Sequence, residues 1–124
     1  MSNTKTVLES FEVKDLEDNS MIRVLVEHCT EVGNEGKPGI QVHYMGNIVC
    51  FEPLMAARLA YQARKAGNTE LLLEDRSWLV HQDQFVKLFL VLDGKPQVRV
   101  EVKTRSKSKP VVKTYPLPFS LDEE

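Results

Sequence analysis

The chain has few residues that could cross-link it covalently. Only two of its 124 residues are cysteines, and both, Cys29 and Cys50, lie within apolar runs. A dense set of cysteines indicates a disulfide framework, whereas isolated cysteines in apolar runs are typical of free thiols in a reducing compartment. We therefore expect two buried, unbridged thiols and a cytoplasmic location.

Long hydrophobic runs are also missing. The longest unbroken one is residues 88–92, far short of the roughly 18 apolar residues of a membrane span. The first six residues are polar and lack the apolar segment of a secretory signal. These absences predict a protein that neither enters nor crosses a membrane.

The charge is close to balanced, with a formal net charge of -2 and an isoelectric point near 5.9. No overall positive field therefore attracts nucleic acid. Aromatic residues make up only 7% of the chain, and most of them fall at positions that suit a core, so stacking platforms for bases are scarce. One basic stretch stands out and supplies the possible phosphate contacts: Arg105, Lys107, Lys109 and Lys113.

Alternation of apolar and polar residues predicts most of the strands. The strictest case is residues 97–104, which follow the turn signal Asp93-Gly94 and imply a partner strand at 85–92. Residues 40–44 and 48–51 predict a second hairpin, turning at Gly46-Asn47. Further strands are predicted at residues 6–16 and 21–29, with short pieces at 70–73 and 78–80.

One segment has the composition of a helix. Residues 53–66 are rich in Ala, Leu, Arg and Gln, with Pro53 in the first turn and Gly67 after the end. Arg64 and Lys65 suit the negative end of the helix dipole. The expected core-facing stripe is Met55, Leu59, Ala63 and Ala66, flanked by Ala56 and Ala60.

Together these elements predict a β-rich α+β domain with five or six mostly antiparallel, twisted strands, one principal helix and an extended C-terminal arm. A small five-stranded barrel is the alternative architecture. The length fits one domain, which we place at residues 1–104, followed by a polar, proline-rich tail at residues 105–124.

The few residues suited to metal binding or catalysis are poorly spaced. His28, Cys29, His43 and Cys50 could supply zinc ligands, but adjacent residues on a strand point to opposite faces. His43 and Cys50 flank one hairpin, yet the apolar setting of Cys50 raises a thiol pKa rather than activating it. We expect no catalytic residues, no metal and no cofactor.

The tail carries the pattern most suggestive of function. Tyr115, Leu117, Phe119 and Leu121 recur at every second position, with Pro116 and Pro118 at the opposite parity. In an extended chain the four apolar side chains share one face, which is the geometry of strand addition. We predict that these four residues bind the chain's own body, a second copy or another protein.

Two functional hypotheses follow. The first is a non-enzymatic protein-binding module, such as an adaptor, inhibitor or assembly component, acting through a sheet edge and the C-terminal arm. Its partner is another protein or a second copy of the chain. The alternative is a single-strand nucleic-acid-binding protein of small-barrel type, with a basic stretch and an acidic tip at residues 122–124.

Overall fold

Eight strands and one helix make up the fold. The computed structural model describes residues 4–17, 19–77, 84–106 and 108–121. In chain order the elements are β1 (Lys5–Lys14), β2 (Met21–Val32), β3 (Lys37–Tyr44), β4 (Asn47–Phe51), α1 (Pro53–Lys65), β5 (Glu70–Ser77), β6 (Phe85–Val91), β7 (Gln97–Lys103) and β8 (Val111–Pro116).

The strands form two antiparallel sheets of four, ordered β1-β2-β3-β4 and β5-β6-β7-β8, which we call sheet A and sheet B. Their inner faces meet in one apolar cluster, to which sheet A gives residues such as Val26 and Val42 and sheet B gives residues such as Leu88 and Val100. The β-rich, antiparallel class is confirmed. The predicted number of strands, five or six, was too low, since the described residues form eight. The alternative barrel was wrong, because the strands lie in two separate sheets.

The hairpins follow the sequence pattern closely. β6 and β7 pair from Phe85 with Lys103 to Val91 with Gln97, as the alternation predicted. The β3–β4 turn is Met45-Gly46 rather than Gly46-Asn47, because Tyr44 pairs with Asn47 and the two residues between them have positive φ. Glycine suits such a turn, since it adopts positive φ at no steric cost. The predicted strand piece at 78–80, with Trp78, lies outside the described residues.

The helix spans the predicted segment, but its buried face is shifted from the predicted stripe toward the flanking alanines. Ala56, Ala60 and Ala63 are fully buried, whereas Met55 and Leu59 are only half-buried. The predicted stripe also included Ala66, which is exposed. The alanines contact Leu90, Leu92 and Leu121, because small side chains let the helix backbone come close to its neighbours. Among the described residues, no helix is long and apolar enough to cross a membrane.

The extended C-terminal arm is not confirmed, because residues 111–116 form β8, the last strand of sheet B. Val98 pairs with Tyr115 and Val102 with Val111, which places β8 beside β7 along its whole length. The alternation that predicted an extended ribbon was therefore that of a sheet strand. Its apolar face packs on the chain's own core rather than on a separate docking surface.

The turn after β1 is tied to the connection between β7 and β8. Asp15 is fully buried and its carboxylate lies 3.4 Å from the Nε of Arg105. The amide of Leu16 donates a hydrogen bond of 2.9 Å to the hydroxyl of Ser106. These contacts hold sheet A and sheet B together at the end of β1.

Candidate functional site

The four predicted partner-binding residues all face the chain's own interior. Tyr115 and Leu121 are buried, and Leu117 and Phe119 are half-buried against the core clusters. The alternate residues of this segment are exposed. The structure thus brings the four side chains together, as the pattern predicted, but on the chain's own body. Their binding to a partner stays a prediction.

Two of the four residues predicted to contact phosphate form ion pairs with carboxylates of the chain itself. Arg105 pairs with buried Asp15, and the Nζ of Lys113 lies 2.9 Å from an Oε2 of Glu9. Lys109 is exposed, and Lys107 lies outside the described residues. Two of the four cations are therefore engaged by carboxylates of the chain itself, which weakens the case for a phosphate track. Single-strand binding, together with its acidic tip at residues 122–124, stays a prediction from the sequence.

A polar cluster joins β1 to β8 where the edges of the two sheets meet. The register shift between Val7 and Glu9 marks a bulge in β1, after which Glu9 pairs with Val26 on the inner face. The carboxylate of Glu9 accepts hydrogen bonds from Lys113 at 2.9 Å and from the Tyr115 hydroxyl at 2.8 Å. We call the surface formed by β1 and β8, where these hydrogen bonds join the two strands, the β1/β8 edge.

These hydrogen bonds shift the ionisation of both partners. Donation from Lys113 and from Tyr115 holds the pKa of Glu9 below its ordinary value. Burial, together with the neighbouring carboxylate, raises the pKa of Tyr115. Glu9 is thus a stable anion and Tyr115 a stable neutral donor at physiological pH.

Two grooves lie along the β1/β8 edge, one on each side of Glu9. The first, of about 320 Å³, is lined by Leu8, His28, Ile40, Tyr115, Pro116 and Pro118, and we call it the His28 groove. The second, of about 360 Å³, includes Phe11, Leu16, Val111 and Lys113, and we call it the Phe11 groove. Both have volumes in the range of ligand and side-chain pockets.

Exposed apolar side chains accompany the grooves. Val7 is 55% exposed, Leu8 43% and Leu16 75%. Single exposed apolar residues are common on protein surfaces, but these three lie on one edge strand and the turn that follows it. This concentration makes the β1/β8 edge a candidate interaction surface.

The candidate metal and nucleophile residues are not assembled into a centre. Among the residues that the structure describes, no three His, Cys, Asp or Glu side chains are grouped to hold a metal ion. His43 Nε2 lies 2.8 Å from the Glu27 carboxylate on the outer face of sheet A. Burial raises the pKa of Cys50, which is half-buried rather than buried as predicted, so its thiol is not activated.

Comparison with known proteins gives no relative from which a function could be inferred. Protein-family models, curated protein sequences and solved structures yield no match to this chain.

Sequence reasoning missed Glu9 and considered His28 only as a possible zinc ligand. Glu9 has the same parity as Phe11 and Val13, so the alternation of the first strand puts a carboxylate on its core-facing side. An acidic residue at such a position is a signal that could have identified Glu9. For His28 no comparable signal exists, because the groove that it lines is built from four separate segments of the chain.

Proposed function

We propose that this protein is a non-enzymatic binding module that takes an extended segment of a partner protein as an added strand along β1. The observation that carries the proposal is that β1 is a ten-residue strand at the edge of sheet A, with a groove on each side of Glu9. The His28 groove is mainly apolar, whereas the Phe11 groove combines apolar side chains with the charged residues Glu12, Lys14 and Lys113. In strand addition, main-chain hydrogen bonds provide affinity and side-chain pockets provide specificity.

The stretch Glu9–Lys14 is the part of β1 best suited to pairing. It follows the bulge and keeps an unbroken register with β2 over six residues, from Glu9 with Val26 to Lys14 with Met21. A partner strand laid along it would direct every second side chain inward, beside Phe11 and Val111. Apolar side chains at those positions would fill the Phe11 groove.

The other three edge strands are less suitable. β4 has only five residues, and the register shift between Leu72 and Glu74 leaves β5 with an unbroken register of only four residues, Glu74 to Ser77, against six in β1. β8 ends in Pro116 and follows Pro110, and proline removes the backbone donor that pairing needs. The predicted tail residues Leu117 and Leu121 are already packed on the core, so we assign partner binding to β1 instead.

The proposal can be tested by selecting peptides from a random display library against the full chain. Leu16→Asp should weaken the binding of the selected peptides, because it removes the most exposed apolar side chain of the Phe11 groove. Leu54→Asp is the matched control, since Leu54 is 55% exposed on α1 and lines neither groove of the β1/β8 edge. Equal effects of the two substitutions would contradict the assignment.

Hydrogen exchange gives a second, independent readout. A strand added to β1 should slow amide exchange within Glu9–Lys14 when the selected peptide binds. The amides of β4, at the opposite edge of sheet A, should not change. Protection at β4, or an absence of selectable peptides, would refute binding at β1.

A further inference from the structure

The His28 groove differs from the Phe11 groove in the polar atom that it contains. Its walls are apolar or ring-shaped, formed by Leu8, Ile40, Tyr115 and two prolines. The hydroxyl of Tyr115 is already committed to Glu9, so it offers no polar contact to a ligand there. His28 is the remaining residue in the groove with a polar side chain.

The Nε2 atom of His28 is buried and has no hydrogen-bond partner among the described residues. A buried polar atom without a hydrogen-bond partner is destabilising, so such atoms are rare and each one calls for a physical explanation. His28 lies on β2 opposite Thr6 of β1 and Ile40 of β3, which places it directly behind the edge strand. Because Nε2 is buried, a hydroxyl held in the groove reaches it only when the imidazole ring rotates and turns Nε2 toward the groove.

We propose that the His28 groove receives a tyrosine side chain of the partner strand, with its hydroxyl hydrogen-bonded to the Nε2 of His28. This inference rests on the proposed function, because the strand that pairs with β1 supplies the tyrosine. Leu8, the residue at the bulge of β1, lines the groove, so a segment paired along Glu9–Lys14 continues directly into it.

Tyrosine matches the groove better than other side chains. Its ring packs on the flat faces of Pro116, Pro118 and Tyr115. Its hydroxyl can donate or accept, so it satisfies either tautomer of His28. Phenylalanine would leave Nε2 unpaired, and a charged side chain would lose its hydration among apolar walls. Aromatic anchors in pockets of this kind commonly dominate protein interfaces.

The groove can be tested without any peptide, using a matched pair of small probes. p-Cresol reproduces the tyrosine side chain, and toluene has the same shape without the hydroxyl. In the full-length chain, p-cresol should shift the imidazole nitrogen resonances of His28 in NMR titrations and bind about 2- to 12-fold more tightly than toluene, the gain of one neutral hydrogen bond. Equal affinities for the two probes would overturn the role of Nε2.

Two variants and one control define the site. His28→Phe should abolish the preference for p-cresol over toluene, whereas His43→Phe, on the outer face of sheet A, should leave it unchanged. Leu8→Trp should block the binding of both probes, because it fills the groove with a larger side chain. The variant should still fold, since Leu8 is 43% exposed. If Leu8→Trp binds the probes as the parent does, the site is elsewhere and the proposal fails.

The peptides selected by display separate the two proposals. A selected peptide should contain a tyrosine whose replacement by phenylalanine weakens binding to the parent chain but not to His28→Phe. Binding and β1 protection that are insensitive to this replacement would refute the tyrosine anchor and leave the proposed function intact. Preference for p-cresol without any peptide binding would refute the proposed function and leave the groove as a site for small phenols.

Discussion

The hydroxyl of Tyr115 donates a 2.8 Å hydrogen bond to the carboxylate of Glu9, joining the last strand of sheet B to the first strand of sheet A. Lys113 donates to the same carboxylate at 2.9 Å. A single acidic side chain of sheet A therefore accepts hydrogen bonds from two residues of sheet B. It also separates the two grooves of the β1/β8 edge.

The Glu9–Tyr115 pair should make stability depend on pH at both extremes. The pKa of Glu9 is lowered from 4.5 in the folded state, so its contribution is present above pH 4.5 and is lost as the pH falls through the lowered value. The pKa of Tyr115 is raised from 10.0, so its contribution is present below pH 10 and is lost as the pH rises further. Urea unfolding across pH measures both.

Substitutions at the pair should each flatten mainly one of these two dependences, because the first cause of the raised pKa of Tyr115 is burial and the first cause of the lowered pKa of Glu9 is Lys113. Glu9→Gln should reduce the loss of stability in acid, and Tyr115→Phe should reduce the loss above pH 10 and cost about 1 to 2 kcal/mol at neutral pH. Glu12→Gln is the control on the same strand, because Glu12 is exposed and its ion pair within the described residues is with exposed Arg23. A Glu12→Gln variant that loses the acid dependence equally would contradict the assignment.

The packing of the C-terminal segment predicts a large effect at Leu121. This side chain is 1% exposed and contacts α1, so Leu121→Ala should lower the free energy of unfolding by about 2 to 5 kcal/mol. Leu72→Ala removes the same atoms from a side chain that is 44% exposed and should cost far less. Chemical denaturation compares the two variants, and similar small losses would show that the segment contributes little to the fold.

The buried alanines of α1 should be sensitive to larger side chains. Ala60 is fully buried, so Ala60→Leu should destabilise the protein by about 1 to 3 kcal/mol through overpacking. Gln62→Leu adds an apolar side chain to the exposed face of the same helix and should be nearly neutral. Thermal unfolding gives the comparison, and a neutral Ala60→Leu would mean that the helix does not lie close to its neighbours.

The two thiols should stay reduced and react slowly, in a fixed order. Burial raises the pKa of both cysteines, and Cys29 is fully buried whereas Cys50 is half-buried. Iodoacetamide at neutral pH should therefore modify Cys50 before Cys29, and both more slowly than in the urea-unfolded chain. Mass spectrometry follows the reaction. A mass two hydrogens lower without reductant, or faster modification of Cys29, would contradict this prediction.

The sequence was most informative where alternation is strict and side-chain size is unambiguous. β6 and β7 were predicted almost to the residue because Val98, Val100 and Val102 alternate with polar residues after a turn signal. The helix was located correctly but rotated, because ranking apolar residues by size favours Met55 over Ala56. Close packing reverses that ranking, and only the three-dimensional contacts reveal it.

The candidate surface was less predictable than the fold. The apolar spacing of residues 115–121 indicated one buried face, but not which body would cover it, because an alternating strand looks the same in cis and in trans. Strand order decides which strand lies at an edge, and nothing local in β1 encodes that order. The His28 groove depends on four segments meeting, so it emerges only from the assembled sheets.

The strand orders β1-β2-β3-β4 and β5-β6-β7-β8 mean that each sheet is built from one uninterrupted half of the chain. Every strand pairing in the described residues is between neighbours in sequence, and the two halves are joined through α1 and residues 66–69. A chain cut at residues 66–69 would keep all of these pairings within one fragment or the other. The protein is therefore suited to reassembly from two separately produced pieces, with fragment association reporting on contact between the sheets.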